Sequence, residues 1–330
     1  MRRGAEAGLI AGALGVLAAA FVASLFLGRV SLSPADLWAG LTSPRDSLAG
    51  LVVTELRIPR ALLAVLVGAA LGLSGAVLQG LLRNPLAEPG LLGVTNGAAV
   101  GAVISIYFGI SHVFALSTPL LGMAGALAAG ALTWVFGRGS TLTLILAGTA
   151  VSSLMSAFLA LALNFAPSPY AAYEMSVWML GSLAERSWDH IFLAGPFILA
   201  GLALLATLGR AADALTLGEA QAQSLGVDVD RTRILALLGV GLSVGAATSV
   251  TGAVGFIGLV APHLVRPFVG HQPSRILLPS TILGAALLLA ADIGTRVIPT
   301  NTELRLGVLT ALLGAPFFFW LVMRLRRVAP

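Results

Sequence analysis

Lysine is missing from this chain, so all 19 basic residues are arginine. A Walker-type loop needs a lysine to reach the phosphates, so the chain itself holds no such ATP site. Cysteine is missing too. That excludes disulfides and thiolate metal sites, and leaves the compartment unreadable from redox chemistry. Charge of either sign is scarce. Only 10% of residues are charged, against roughly 25% in an average soluble domain. So few charges could not cover a water-facing surface. The histidines, at positions 112, 190, 263 and 271, lack metal-ligand spacing and read as ordinary interface residues. No catalytic set is visible, so catalytic, cofactor and metal residues are all expected to be none.

What fills the chain is oily sequence. Hydrophobic residues make up 58%, and the mean hydropathy is +0.97. The expected fold class is all-α: a polytopic membrane protein with about ten transmembrane helices. A spanning helix takes about 20 residues, so ten would use roughly 200. The remainder leaves short loops and no room for a large soluble domain, so 1–330 reads as a single transmembrane domain. The 39 glycines suit close helix packing in lipid. The net charge of +5 reads as topology arginines at loop ends, and no nucleic-acid partner is expected.

Arg2 and Arg3 precede an apolar run over 9–27, which is too long for a signal-peptide core and reads as a retained first span. Residues 29–59 are polar. Within them Ser33-Pro34-Ala35-Asp36-Leu37-Trp38 predicts a short capped amphipathic helix. Further spans are expected at 60–82, 90–110, 120–136, 142–165, 191–208, 234–250, 276–293 and 306–323. The eighth segment, 252–269, is rich in Gly and Pro and should be short or broken. The apolar piece Val177–Gly181 is too short to span and predicts a partial helix at a cavity. Ten crossings put both termini on one side. This arrangement leaves twelve of the 19 arginines on the cytoplasmic side, three of them in the tail (Arg324, Arg326, Arg327), and seven outside.

Five local features stand out. Pro85 and Pro89 should stop a helix and form an ordered turn between spans. Residues 210–233 form the most polar internal loop. Glu219 to Leu225 has good helical propensity and Gly226 is a natural stop, so a short cytoplasmic helix is predicted there. Asp292 is a carboxylate at membrane depth and needs a partner. Arg296, one turn later on the same face, is the expected one. The pairs Gly68/Gly72, Gly97/Gly101 and Gly241/Gly245 read as close-packing sites. The stretches Val67–Gly75 and Val240–Ala246 echo each other, each expected to lead to a Pro-containing turn, as in an inverted repeat.

Several motifs carry a family resemblance: Arg57-Ile58-Pro59-Arg60; Gly75-Ala76-Val77-Leu78-Gln79; Asn84-Pro85-Leu86-Ala87-Glu88-Pro89-Gly90-Leu91-Leu92-Gly93; Gly255-Phe256-Ile257-Gly258-Leu259-Val260-Ala261-Pro262-His263; and Leu313-Gly314-Ala315-Pro316-Phe317-Phe318. In this order they resemble the permease subunit of the bacterial iron-chelate, haem and vitamin B12 ABC importers of type II. The resemblance implies a multi-pass inner-membrane permease working as a homodimer in membrane lipid. Two copies of a separate ABC ATPase would bind the cytoplasmic loops, and a periplasmic substrate-binding protein would deliver cargo. It also implies site roles. Gly218, Glu219, Ala220 and Gly226 match the ATPase-coupling segment. Asn84, Pro85 and Leu86, with Ser140 and Thr141, match the cytoplasmic gates. Arg57, Arg60 and Arg296 match arginines that meet glutamates on the binding protein.

For cargo the resemblance implies haem, a ferric siderophore or cobalamin, with haem or another iron chelate the expected one and cobalamin the alternative. A secondary transporter or channel needing no ATPase is the rival of a different class, although intramembrane charges are few for a proton-driven one. An intramembrane enzyme is disfavoured by the missing catalytic set.

Overall fold

The computed structural model describes residues 2–28, 32–42, 47–299 and 304–326. Parts of the polar segment (29–31 and 43–46) and Arg327 of the basic tail lie outside the described residues, as do the side chains of Arg2, Arg3, Arg324 and Arg326. Among the described residues the secondary structure is helical throughout. The first helices are α1 (Arg2–Phe26), α2 (Pro34–Thr42), α3 (Leu48–Leu51), α4 (Ile58–Leu81), α5 (Val94–Tyr107), α6 (Ile110–Val113), α7 (Ser117–Phe136) and α8 (Thr141–Asn164). They are followed by α9 (Pro169–Met179), α10 (Trp188–Ala206), α11 (Gly209–Leu215), α12 (Glu219–Ser224), α13 (Val229–Thr251), α14 (Ile257–Val269), α15 (Pro273–Val297) and α16 (Leu306–Arg326). Among the described residues, eight helical stretches are long and apolar enough to cross a membrane, and α5 and α14 are two shorter apolar ones. Together they supply the ten expected segments.

The second span differs most from its sequence expectation. It begins at Leu48 and runs 34 residues to Leu81, because a π-helical turn over Val52–Arg57 joins α3 to α4. The cause is Pro59. In that wide turn the Ile58 N–H reaches the Val53 carbonyl, and the next donor in register, Pro59, has no N–H. The Thr54 carbonyl is taken instead by the indole N–H of Trp188 on α10, at 2.9 Å. An interior proline is thereby absorbed without stopping the helix.

The third span is shorter than expected. After α4 the chain passes Pro85, makes a 3₁₀ turn over Pro89–Leu92, and enters α5 through Gly93 at φ +76°. The α13–α14 connection is similarly irregular, with Gly252 at φ +73° and Phe256 at φ +68°. It does not contain the proline that the sequence echo led one to expect, since Pro262 lies inside α14. Each long helix thus leads through an irregular turn into a short one. As the second and seventh crossings, α4 and α13 run in opposite directions, which is the inverted relation the sequence echo suggests. The echoing serines Ser74 and Ser243 meet with their hydroxyls 3.3 Å apart. The two turns close on a cavity of about 310 Å³ that Glu88, Pro89 and Gly90 share with Val254 and Phe256.

Small residues set the closest helix pairs. A Cβ on Gly68 or Gly72 would run into the backbone of α15 at Gly284 and Ser280, and one on Gly97 or Gly101 into α7 at Gly125 and Leu121. Gly241 and Gly245 meet only side chains, of Leu127 and Ala126. Between α10 and α13 the chain forms two short helices. Asp213 on α11 caps the start of α15, accepting from the Ser274 N–H at 2.8 Å and its hydroxyl at 2.6 Å.

Candidate functional site

The end of the bundle that carries α11 and α12 gathers two of the three predicted residue groups. Helix α12 starts at Gly218, whose φ of +112° suits glycine. It ends as the sequence predicts. Gly226 at φ +85° donates to Gln223 at 2.9 Å and Val227 donates to Ala222 at 3.0 Å, a Schellman stop. Ala222 is fully buried, whereas Leu217 and Leu225 are each 63% exposed. Ala220 is exposed as well.

Glu219 turns the other way, into the protein. Its Oε1 accepts from the Thr141 hydroxyl at 2.5 Å and from the Thr141 N–H at 3.2 Å. The same oxygen lies 2.8 Å from the Arg233 guanidinium and 3.9 Å from that of Arg83. Arg233 also donates to the Thr141 hydroxyl at 3.2 Å, and its side chain is only 3% exposed. The predicted coupling residue therefore touches the predicted gate residue directly. Ser140 is the N-cap of α8, its hydroxyl accepting from the Thr143 N–H at 3.1 Å. Glu219 satisfies the neighbouring unpaired N–H of that first turn.

The other gate segment follows Arg83. Asn84 Oδ1 accepts from the Leu86 N–H at 2.9 Å, an Asx turn. The Pro85 carbonyl accepts from His263 Nε2 on α14 at 2.8 Å. Arg83 and Arg233 were not among the residues singled out from sequence. The signal was there for Arg233, a cation opening a long apolar run, where a partner is obligatory.

Arg57, Arg60 and Arg296 gather at the opposite end, and their polar atoms are engaged within the chain. Arg57 is 7% exposed and donates to the carbonyls of Leu25 at 2.5 Å and Phe26 at 2.9 Å. Arg296 donates to the Ser24 carbonyl at 3.0 Å, the Leu27 carbonyl at 3.1 Å and the Ser24 hydroxyl at 2.7 Å. The Ser24, Leu25 and Phe26 carbonyls belong to the last turn of α1, which lacks intrahelical donors, and Leu27 directly follows it. Asp292 pairs with Arg296 at 3.1 Å, as expected, and with Arg60 at 2.9 Å, which the sequence did not suggest.

A cavity of about 500 Å³ opens at this same end, lined by Glu174, Glu185, Arg186, His190, Thr251 and Arg305 among others. The Arg186 Nε donates to the Val250 carbonyl at 2.5 Å. The partial helix expected at Val177–Gly181 is instead the longer α9, Pro169–Met179, which begins eight residues earlier and ends before Leu180; it supplies Glu174 and Trp178 to the cavity.

Comparison with known proteins decides the family. The FecCD transport family profile matches residues 16–324. This chain belongs to the FecCD transport family. The FecCD chain is 39% identical over 307 residues to the hemin transport system permease protein HmuU of Yersinia pestis, covering 91% of this chain and 90% of that protein. It is 41% identical over 320 residues to the vitamin B12 import system permease protein BtuC of Serratia proteamaculans, covering 95% and 91%. A solved structure described as an inward-facing conformation of a metal-chelate type ABC transporter superposes with a TM-score of 0.86 at 32% identity. That match covers 96% of this chain and 99% of the other. The FecCD chain is thus a multi-pass ABC transporter permease of the bacterial inner membrane.

Proposed function

We propose that this permease imports haem or another iron chelate, working as a homodimer with two copies of a separate ATPase. The ATPase binds the cytoplasmic face, a periplasmic substrate-binding protein delivers cargo, and residues 1–330 act as one permease domain. The observation that carries the reading is the two-sidedness of α12. Its outward surface offers Leu217 and Leu225 to a partner, while Glu219 faces inward onto Thr141. A short helix with one face free and the other bonded to the transport body suits a part that passes force between two proteins.

Helix α8 supports the dimer. Thr149, Ser152, Ser153 and Ser156 lie at i, i+3, i+4 and i+7 and line a shallow depression of about 310 Å³ with Leu91. Asn96 on α5 donates to the hydroxyls of Ser152 at 2.9 Å and Ser156 at 3.0 Å. Polar groups at membrane depth belong against protein or a wet cavity, not against lipid tails. A second copy facing this stripe would enclose a hydroxyl-lined path along the dimer axis. Such a path suits a bulky chelate better than a bare ion.

Cobalamin stands as the second reading, because a relative named for vitamin B12 import is as similar as one named for hemin transport. The cognate binding protein separates the two. Purified from cells supplied with both compounds, it should carry haem or an iron chelate, whereas bound cobalamin would favour the alternative. The ATPase should co-purify with the permease and accelerate on addition of the loaded binding protein. Failure of both would overturn the proposal.

A further inference from the structure

Glu219 makes polar contacts from α12 to α8, α13 and Arg83 of the 83–93 turn at once. One carboxylate oxygen serves the Thr141 hydroxyl and N–H, the Arg233 guanidinium and, at longer range, Arg83. Arg233 is held from its own helix as well, by Asp230 at 3.4 Å, and closes the triangle by donating to Thr141. Hydrogen bonds to charged groups are the stronger ones, and without Glu219 the buried Arg233 guanidinium would keep only the longer contact to the exposed Asp230 as its carboxylate partner.

We infer that Glu219 is a positioning residue that latches the first turn of α8 to α12, so that displacement of α12 is passed to α8 through Thr141. This rests on the reading of α12 as the ATPase-contacting segment and of Thr141 as part of a gate. Because the carboxylate fills a capping position on α8, α12 cannot shift alone. Either it carries the Ser140–Thr141 end with it, or it breaks a charge-assisted bond and strips the helix of a cap. Glu219 then acts toward the path, and its effect on an ATPase is indirect. A glutamate that bonded the partner would behave differently, since its loss would weaken assembly and leave Thr141 irrelevant.

The absence of cysteine makes the test direct. Leu142, exposed on the first turn of α8 and outside the hub, is replaced by cysteine and spin-labelled in the full complex in liposomes. The distance between labels is followed with and without ATP, beside cargo moved per ATP hydrolysed. Thr141→Val keeps the volume and removes the hydroxyl. It should lower cargo per ATP about tenfold, the scale of one charge-assisted bond, and shrink the ATP-driven distance change. Glu219→Gln should do the same, and Thr141→Val with Glu219→Gln should be no worse than either alone. An unchanged ratio in Thr141→Val, or losses that multiply in the double variant, would overturn the latch. Failure of the underlying reading would show instead in the unmodified complex, as uptake that does not need the ATPase.

Discussion

Arg60 and Asp292 lie 232 positions apart, yet the Arg60 Nε donates to Asp292 Oδ1 at 2.9 Å and to Oδ2 at 3.1 Å. Asp292 is fully buried, and Arg296 approaches from its other side at 3.1 Å. One carboxylate between two guanidiniums joins α4 to α15. Arg296 and Arg57 then extend the network to the last carbonyls of α1. Three helices are fastened where they end.

Removing that carboxylate's charge should cost stability. Asp292→Asn leaves two buried cations facing an amide, and breaking a buried pair costs about 3–5 kcal/mol. A large fall in the melting temperature of the detergent-solubilised protein is expected. An unchanged transition would show that the pair does not hold the helices.

The same network bears on docking. Reversing Arg60 to Glu places two carboxylates together and should destabilise the protein itself, whatever it does to delivery by a binding protein. A well-folded Arg60→Glu variant that transports poorly only when the binding protein is limiting would assign Arg60 to docking. A variant that melts early in the absence of any partner would assign it to the fold.

Glycine contacts predict a contrast within one protein. Gly72→Ala drives a methyl into the Ser280 carbonyl of α15, and such overpacking costs about 1–3 kcal/mol. Gly130→Ala meets its nearest neighbour, a Val94 methyl, at 3.9 Å. It should be neutral or stabilising, since alanine favours a helix over glycine by about 1 kcal/mol. Thermal melts of both variants check this, and equal behaviour would contradict the packing argument.

The pH dependence of the hub follows from Glu219. Burial opposes its ionisation, but the Thr141 hydrogen bonds and the Arg233 charge outweigh it, so its pKa lies below the ordinary 4.5. A carboxyl with a lowered folded pKa stabilises the fold above its ordinary value, and that contribution is lost as pH falls through the lowered one. The melting-temperature gap between the unaltered chain and Thr141→Val should therefore stay constant from about pH 7.5 to about pH 5.5. A gap that closes by about pH 6 would mean that the carboxylate is not held as described.

Much of this was legible in the chain itself. Apolar runs marked the ten segments, the eighth of them as short or broken, Pro85 and Pro89 marked the break after α4, and Gly226 marked the stop of α12. These are local signals, written in a few neighbouring residues. The extension of the second span to Leu48 was not legible, because proline usually ends a helix. Here a distant indole, Trp188, satisfies the carbonyl that Pro59 leaves open. Helix α11 was missed because its role is also distant, Asp213 capping α15 across 61 positions. The hub joins Thr141 to residues 78 and 92 positions away. No periodicity carries such pairings, although the cost of an unpartnered Arg233 could have announced that a partner exists.

Transport through this permease is proposed to be driven by a separate ATPase. The most direct test is uptake into liposomes holding either the permease with its ATPase or the permease alone, with the loaded binding protein outside and ATP inside. Accumulation is predicted only for the complex, and only with ATP. Cargo entry through the lone chain, or collapse of an imposed ion gradient by it, would contradict the account.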